Sequence, residues 1–517
     1  MNITRRHLLK MGAMAGVGLA LPLGTLSVPV GRLGASALVR SPRVEPFTVP
    51  LPIPPVARPV HSHGGADHYE ITQRVARQEI LPGLKTEVWG YDGIFPGPTI
   101  EARRGRQAVI RQTNELPVPV SVHLHGGKTP PGSDGYPTDL ILPNGPGGSQ
   151  TAHPHGGHAP GGAGHRGHRE YRYPNEHRAA ALWYHDHRMD FTGPQVYRGL
   201  AGMYVLGDEV EDGLPLPKGG KDVPLMICDR TFGEDGSFYY PSLDPTLQEE
   251  PGVLAHAANG MLGDTILVNG APWPQLEVSN TMHRFRILNA SNARSYDLVL
   301  DPPPPGGRPF VQVGSDGGLL EAPIPHTSIV AAPAERFDVV VDFSRYPVGT
   351  KVTLRNLRGE GRTSDVMRFV VARGKKEEAS VPERLAPDLD FPDPDDVEVT
   401  RRFRFIAGVG GGMSAINGEV FDPGRIDARP RLGSTEIWEI SADPSHPFHM
   451  HLVHFKVLSR DDGPPGPYDA GWKDTVSLEG GSVRVAARFE GWRGKYVFHC
   501  HNLEHEDMMM MANFEVI

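Results

Sequence analysis

The run His499-Cys500-His501-Asn502-Leu503-Glu504-His505, with Met510 five residues beyond it, decides how this chain is read. Side chains alternate along a strand, so Cys500 points to one face and its two flanking histidines to the other. A thiolate with an imidazole and a weak thioether suits a blue-copper electron-transfer site. The two histidines on the opposite face then need a different metal. The backbone of Cys500 would join the two centres covalently.

Three further runs supply imidazoles. They are His123-Leu124-His125, Trp183-Tyr184-His185-Asp186-His187 and His446-Pro447-Phe448-His449-Met450-His451. In an extended strand each His-x-His pair points both rings the same way. The pairs His123/His125, His185/His187, His449/His451 and His499/His501 therefore offer eight rings that can converge. Eight is too many for one ion and suits about three. His446 remains as a second imidazole for a blue site beside His505.

These four motifs resemble the copper-binding motifs of the multicopper oxidases, in particular the bacterial three-domain laccase group. The resemblance spans nearly the whole chain after its first residues, and the motifs stand in the family's order. It implies a type 1 copper held by His446, Cys500 and His505 with Met510 axial. It implies a type 2 copper on His123 and His449. The type 3 pair would fall to His125, His185, His187, His451, His499 and His501, making four copper ions in all. Taken alone, Asp134 in Gly132-Ser133-Asp134-Gly135 reads as a turn residue. The resemblance makes it an acid near the three-copper centre and puts Glu506, directly after His505, on the dioxygen channel.

The activity so implied is one-electron oxidation of phenols and aromatic amines coupled to four-electron reduction of dioxygen to water. Two other readings compete. One is a metal-ion oxidase for Cu(I) or Mn(II) in metal homeostasis. Such enzymes tend to carry a Met-rich segment, and only Met508–Met511 and the N-terminus are rich in Met here. The other is a structural coat protein with relic copper sites.

Length and composition agree with a multi-domain β protein. The chain has 517 residues, enough for about three domains. Its 62 Gly and 51 Pro, set between short apolar runs, argue for β-sandwiches over helices. A formal net charge of -9 argues against a nucleic-acid partner. With two cysteines, and Cys500 committed to metal, no disulfide framework follows. Cys228, in an apolar run, is expected as a buried free thiol. The resemblance names the fold: all-β, three cupredoxin-like Greek-key sandwiches.

A weak repeat marks the three units. Val109–Asn114, Arg284–Asn289 and Glu436–Ile440 are alternating strands, each following a turn. The next strand carries histidines in the first and third units, whereas Ser295–Leu300 in the second has none. The middle unit is expected to be a spacer, with the three-copper site between the outer two. The expected boundaries are 38–212, 213–380 and 381–517, with linkers near Glu209–Lys221 and Gly374–Asp396.

Residues 1–37 read as a targeting segment. Arg5-Arg6 precedes an apolar stretch from Met11 to Val30, and Ala35-Ser36-Ala37 offers small residues for cleavage. Pro22 and Pro29 argue against a stable membrane span. Export by a twin-arginine route, to an extracellular, periplasmic or cell-envelope site, is the expectation. A Pro-rich arm, Ser41–Pro59, is expected to run extended over the surface. Between Ser149 and His177 a Gly-rich stretch carries His153, His155, His158, His165, His168 and His177, a composition that can bind metal.

Overall fold

The structure is a computed structural model, and it describes residues 39–144, 164–374, 377–386, 389–393, 397–409 and 413–517. The targeting segment, most of the His/Gly stretch and parts of the second linker lie outside the described residues. The chain is all-β, as its turn-rich composition predicts. Six main sheets follow one another in three pairs along the sequence. Each pair encloses its own core. Ile71 and Ile110 meet Leu124 and Leu182 in the first. Leu225 and Phe285 meet Leu298 and Phe369 in the second. Phe403 and Trp438 meet Phe448 and Phe498 in the third. Two sheets whose inner faces interdigitate make a sandwich. Truncating a buried aromatic such as Trp438 to Ala would cost about 3–5 kcal/mol.

The weak repeat has a structural basis. In each sandwich the repeated strand pairs in parallel with the long strand before it. Ala66–Gln78 pairs with Gln107–Asn114, Asp222–Arg230 with Met282–Asn289, and Val397–Ile406 with Thr435–Ala442. Parallel neighbours cannot be joined by a hairpin, so the chain crosses to the other sheet between them. Two of the repeated strands end on an asparagine that ties down the next turn. Asn114 donates to the Val118 and Ile141 carbonyls, and Asn289 to those of Arg294 and Ala331.

Two segments differ from a plain linker or tail. Glu209–Gly213 forms a short helix capped by the Asp208 carboxylate. Its Glu211 bonds Arg284 and also meets Arg286, so this stretch is fastened to the second sandwich. The Pro-rich arm is extended, as expected, and it bridges sandwiches. Leu51 N donates to Gln275 O at 2.8 Å, and Ala57 N to Thr99 O at 2.8 Å.

The C-terminus shapes the site. Gly494–Cys500 runs into a one-turn helix, Leu503–Asp507, and the chain returns as Met511–Val516, antiparallel to the first strand. Cys500 N donates to Met510 O at 3.1 Å, and Met510 N to His505 O at 3.0 Å. A turn of helix thus folds His505 and Met510 back onto Cys500. Among the described residues, no helix is long and apolar enough to cross a membrane.

Candidate metal centre

Two pairs of antiparallel strands carry five of the eight rings, and His187, His451 and His501 follow directly on three of those strands. Val122–His125 lies against Ala180–Asp186, setting His123 opposite His185 and His125 opposite Trp183. In the third sandwich Pro444–Met450 lies against Gly494–Cys500, setting His449 opposite His499 and Phe448 opposite Cys500. Alternation does the rest. Phe448, Phe498 and Cys500 enter the third core, and His449, His499 and His501 leave on the other face. The two histidine faces meet. His123 stacks on His451 with ring centroids 3.7 Å apart, and His125 on His449 at 3.7 Å.

Backbone and carboxylate acceptors fix which nitrogen carries hydrogen in five of these rings. His123 Nδ1 donates to the Asp134 carbonyl at 2.6 Å, His185 Nδ1 to the Asp186 carbonyl at 2.8 Å, and His449 Nδ1 to the Asp474 carbonyl at 2.9 Å. His451 Nδ1 donates to Asp134 Oδ2 at 2.8 Å. His125 is reversed: its Nε2 donates to Asp474 Oδ1 at 3.0 Å. The opposite nitrogens are left facing inward. His123 Nε2, His125 Nδ1, His185 Nε2, His449 Nε2 and both nitrogens of His501 are buried with no hydrogen-bond partner. Orphaned buried polar atoms on this scale are costly. Cations sharing their lone pairs remove that cost.

The donors fall into groups that can each hold an ion. One is His125, His185 and His501; another is His187, His451 and His499; a third joins His123 and His449 with His125. In the second group, His499 Nε2 lies 3.3 Å from His187 Nε2 and 3.3 Å from His451 Nε2. Glu506 sits behind that group, 3.3 Å from His187 Nδ1 and 3.1 Å from His499 Nδ1. Asp134 is no solvated turn residue: it is fully buried against His451. Asp186 accepts from Ser121 N, Arg188 N and Gln195 Nε2, which fixes the loop that follows it.

A separate group is His446, Cys500 and His505. His446 Nδ1 lies 3.4 Å from Cys500 Sγ, and His505 Nδ1 lies 3.9 Å from it. Asn502 N donates to the same sulfur at 3.4 Å. Met510 is fully buried in the core cluster that holds Cys500. On the outer edge, His446 Nε2 meets Asp443 Oδ1 at 2.6 Å, and the Asp443 side chain is 43% exposed.

Burial tunes these groups for metal. It holds the rings of His123, His125, His187, His449, His451 and His501 well below the usual imidazole range, and takes His505 down to about 3. Neutral imidazole is the ligating form, so the rings are ready to bind near neutral pH. Burial pushes the Cys500 thiol up, so without a cation the sulfur keeps its proton. A bound cation would reverse that.

The chain matches multicopper oxidase family models over residues 74–153 and 389–517. It is 37% identical to a laccase from Bacillus subtilis, the match covering 92% of this chain and 99% of that one. The chain belongs to the multicopper oxidase family. It is also 37% identical to a bilirubin oxidase from Albifimbria verrucaria, over 96% of this chain and 85% of that protein. A solved laccase from Pediococcus acidilactici superposes with a TM-score of 0.78 at 30% identity, covering 92% of this chain and 95% of that one. Three cupredoxin-like sandwiches are the family's architecture, and copper is the metal it implies. This multicopper oxidase is therefore a copper-dependent oxidase that uses dioxygen, and its convergent imidazoles and thiol are the donor set copper takes.

Sequence reasoning did not flag Asp474, Thr475 or Arg336. Asp474 touches His125, and Thr475 Oγ1 lies 3.0 Å from His125 Nε2. The one local signal was a charged pair, Lys473-Asp474, just before an alternating strand, Thr475–Glu479. His165 is half exposed, and no metal-holding group among the described residues includes it or His168. His177 is buried and packs edge-on against His454, at 5.7 Å.

Proposed function

We propose that the chain is a laccase-like oxidase of phenols and aromatic amines that holds four copper ions. The observation that carries this is the division of donors into a Cys/His group and a separate set of facing His-x-His pairs. In this reading His446, Cys500 and His505, together with Met510, would hold the type 1 ion. His123 and His449 hold the type 2 ion. His125, His185 and His501 hold one type 3 ion, and His187, His451 and His499 the other. The ligands come from units 38–212 and 381–517, and the three-copper site lies between them. Unit 213–380 contributes no ligand.

Copper, when bound, supplies one-electron redox change at the first group and four-electron reduction of dioxygen to water at the second. The chain's residues do the rest. Asp443, half-exposed and bonded to Nε2 of the buried His446, is the surface group beside this set that can take up the proton a phenol loses. With copper bound, Cys500 would link the two groups through its own peptide groups, since His499 and His501 are its neighbours in the chain. Phe448 and Phe498 pack around the thiolate and keep water from it, so little reorganises on electron transfer. Glu506 and Asp134 deliver protons to the inner site, each already bonded to or beside a ligating ring. Residues 1–37 direct twin-arginine export, which places the protein outside the cytoplasm.

The test is an oxygen-electrode assay of copper-loaded protein with a phenol, an aromatic amine, Cu(I) and Mn(II) as donors. Faster uptake with the organic donors supports this reading. Faster uptake with Cu(I) or Mn(II) would make it a metal-ion oxidase, and no uptake with any donor would make the copper sites relics. Relatives named laccase and bilirubin oxidase support the first outcome.

A further inference from the structure

In the middle sandwich, which in this reading carries no copper ligand, the side chain of Arg336 reaches toward the centre. Arg336 is 1% exposed and lies in the strand Arg336–Asp342 of the second sandwich. Its guanidinium touches three parts of the fold. Nε donates to the Ala181 carbonyl in the first sandwich at 3.1 Å. Nη1 donates to the Ala334 carbonyl at 2.9 Å, and Nη2 to the Asp316 carbonyl at 3.2 Å, both in the second. Nη1 also donates to Asp474 Oδ1 at 2.7 Å, and Nη2 to Asp474 Oδ2, in the third. This is a two-pronged Arg–carboxylate pair, which fixes direction as well as distance.

Asp474 also faces the centre, and its Oδ1 accepts from the Thr475 hydroxyl at 2.9 Å as well. Its Oδ1 takes the Nε2–H of His125 at 3.0 Å, and its carbonyl takes the Nδ1–H of His449 at 2.9 Å. Its backbone is held in turn, since Asp474 N and Thr475 N both face Asp316 Oδ2 at 3.3 Å. Lys473 Nζ closes the network at 3.2 Å from Asp316 and 3.2 Å from Glu335. His125 is the ring whose hydrogen sits on Nε2, leaving Nδ1 as its orphaned, inward-facing nitrogen. Thr475 Oγ1, 3.0 Å from the same Nε2, is the second partner that holds this ring.

We infer that Arg336 is a positioning residue for the copper centre: it clamps Asp474, and Asp474 holds His125 with Nδ1 toward the metal and His449 with Nε2 toward it. The middle sandwich is then more than a spacer. It supplies the outer contact that sets the geometry of two ligands from the other two sandwiches. Partners that hold a ligand from behind are worth about 10–100-fold in metal affinity.

This rests on the reading that His125 and His449 hold copper, and the experiment separates the two. Wild type, Arg336→Gln, Arg336→Lys and Asp474→Asn are loaded with copper and exposed to a chelator. Copper loss is followed with the blue band, the near-ultraviolet band of the coupled pair and the copper EPR spectrum. Arg336→Gln should release copper from the inner site about 10–100-fold more readily. Its near-ultraviolet band should weaken and its EPR signal change, while the blue band stays. Arg336→Lys should recover part of the loss. If Arg336→Gln does not fold, Asp474→Asn carries the same expectation. A folded variant with wild-type retention and spectra would overturn the inference, as would blue and inner-site signals falling together. Wild type that holds no inner-site copper would overturn the underlying reading as well.

Discussion

His499 and Cys500 share one peptide bond, yet their side chains lie in different clusters. His499 Nε2 is 3.3 Å from His187 Nε2, and Cys500 Sγ is 3.4 Å from His446 Nδ1. A strand's alternation is what lets two neighbours serve two centres. That peptide bond is the shortest covalent route between the centres.

Glu506 is the acid best placed to hand protons inward. It is 1% exposed and stands between His187 and His499. Glu506→Gln keeps the shape and removes the carboxylate that can take up and release a proton. Copper content and blue colour should stay, and turnover with a phenol should fall about 10²–10⁴-fold. Wild-type turnover in that variant would remove Glu506 from the proton path.

Met510 faces Cys500 from across the returning chain. Met510→Leu conserves volume, so it should cost under about 1.5 kcal/mol in thermal or denaturant unfolding. It also removes the weak axial thioether, so the blue site's potential should rise. A redox titration reads this directly, and an unchanged potential would show that Met510 is only a packing residue.

Acid stability should depend on Glu211. Burial alone would raise its carboxyl, but Arg286 and Arg284 overcome that and hold it at about 2, against an ordinary 4.5. The folded form then binds fewer protons than the unfolded one between these values. The stabilisation is fully present above about pH 4.5 and is lost as pH falls toward about 2, and it amounts to about 3 kcal/mol. Glu211→Gln should lower the melting temperature at neutral pH and flatten the acid limb of the stability curve. An unchanged limb would show the ion cluster to be neutral in its effect.

Cys228 is a control for the thiol chemistry. It is buried in the cluster between the first and second sandwiches, with Trp183, Met226 and Leu267. Cys228→Ala should cost about 1–2 kcal/mol of stability and leave colour, copper content and turnover unchanged. Loss of colour in that variant would contradict the assignment of the blue site to Cys500 alone.

The sequence carried what is local. Each His-x-His pair needs only strand alternation to fix its face, so four pairs were legible without coordinates. The repeated strands were legible because turn, alternation and a closing Asn114 or Asn289 recur. Long-range partners left no such trace. Arg336 and Asp474 are 138 residues apart, and Asp474 and His125 are 349 apart. Asp134 looked like a turn residue because it does end a short 3-10 turn, Pro131–Ser133; its carboxylate is buried against His451, distant in the sequence, and against His123. Glu211 looked solvated among Gly, Pro and charge, since its arginine partners lie 73 and 75 residues on.

The most direct measurement is copper content per chain, wild type against Cys500→Ser, taken with the visible spectrum. A thiolate that wires an outer ion to three inner ones predicts about four coppers and a blue band in wild type. It predicts about three coppers, no blue band and no phenol-driven oxygen uptake in Cys500→Ser. A blue or active Cys500→Ser, or one with the same copper content as wild type, would contradict it.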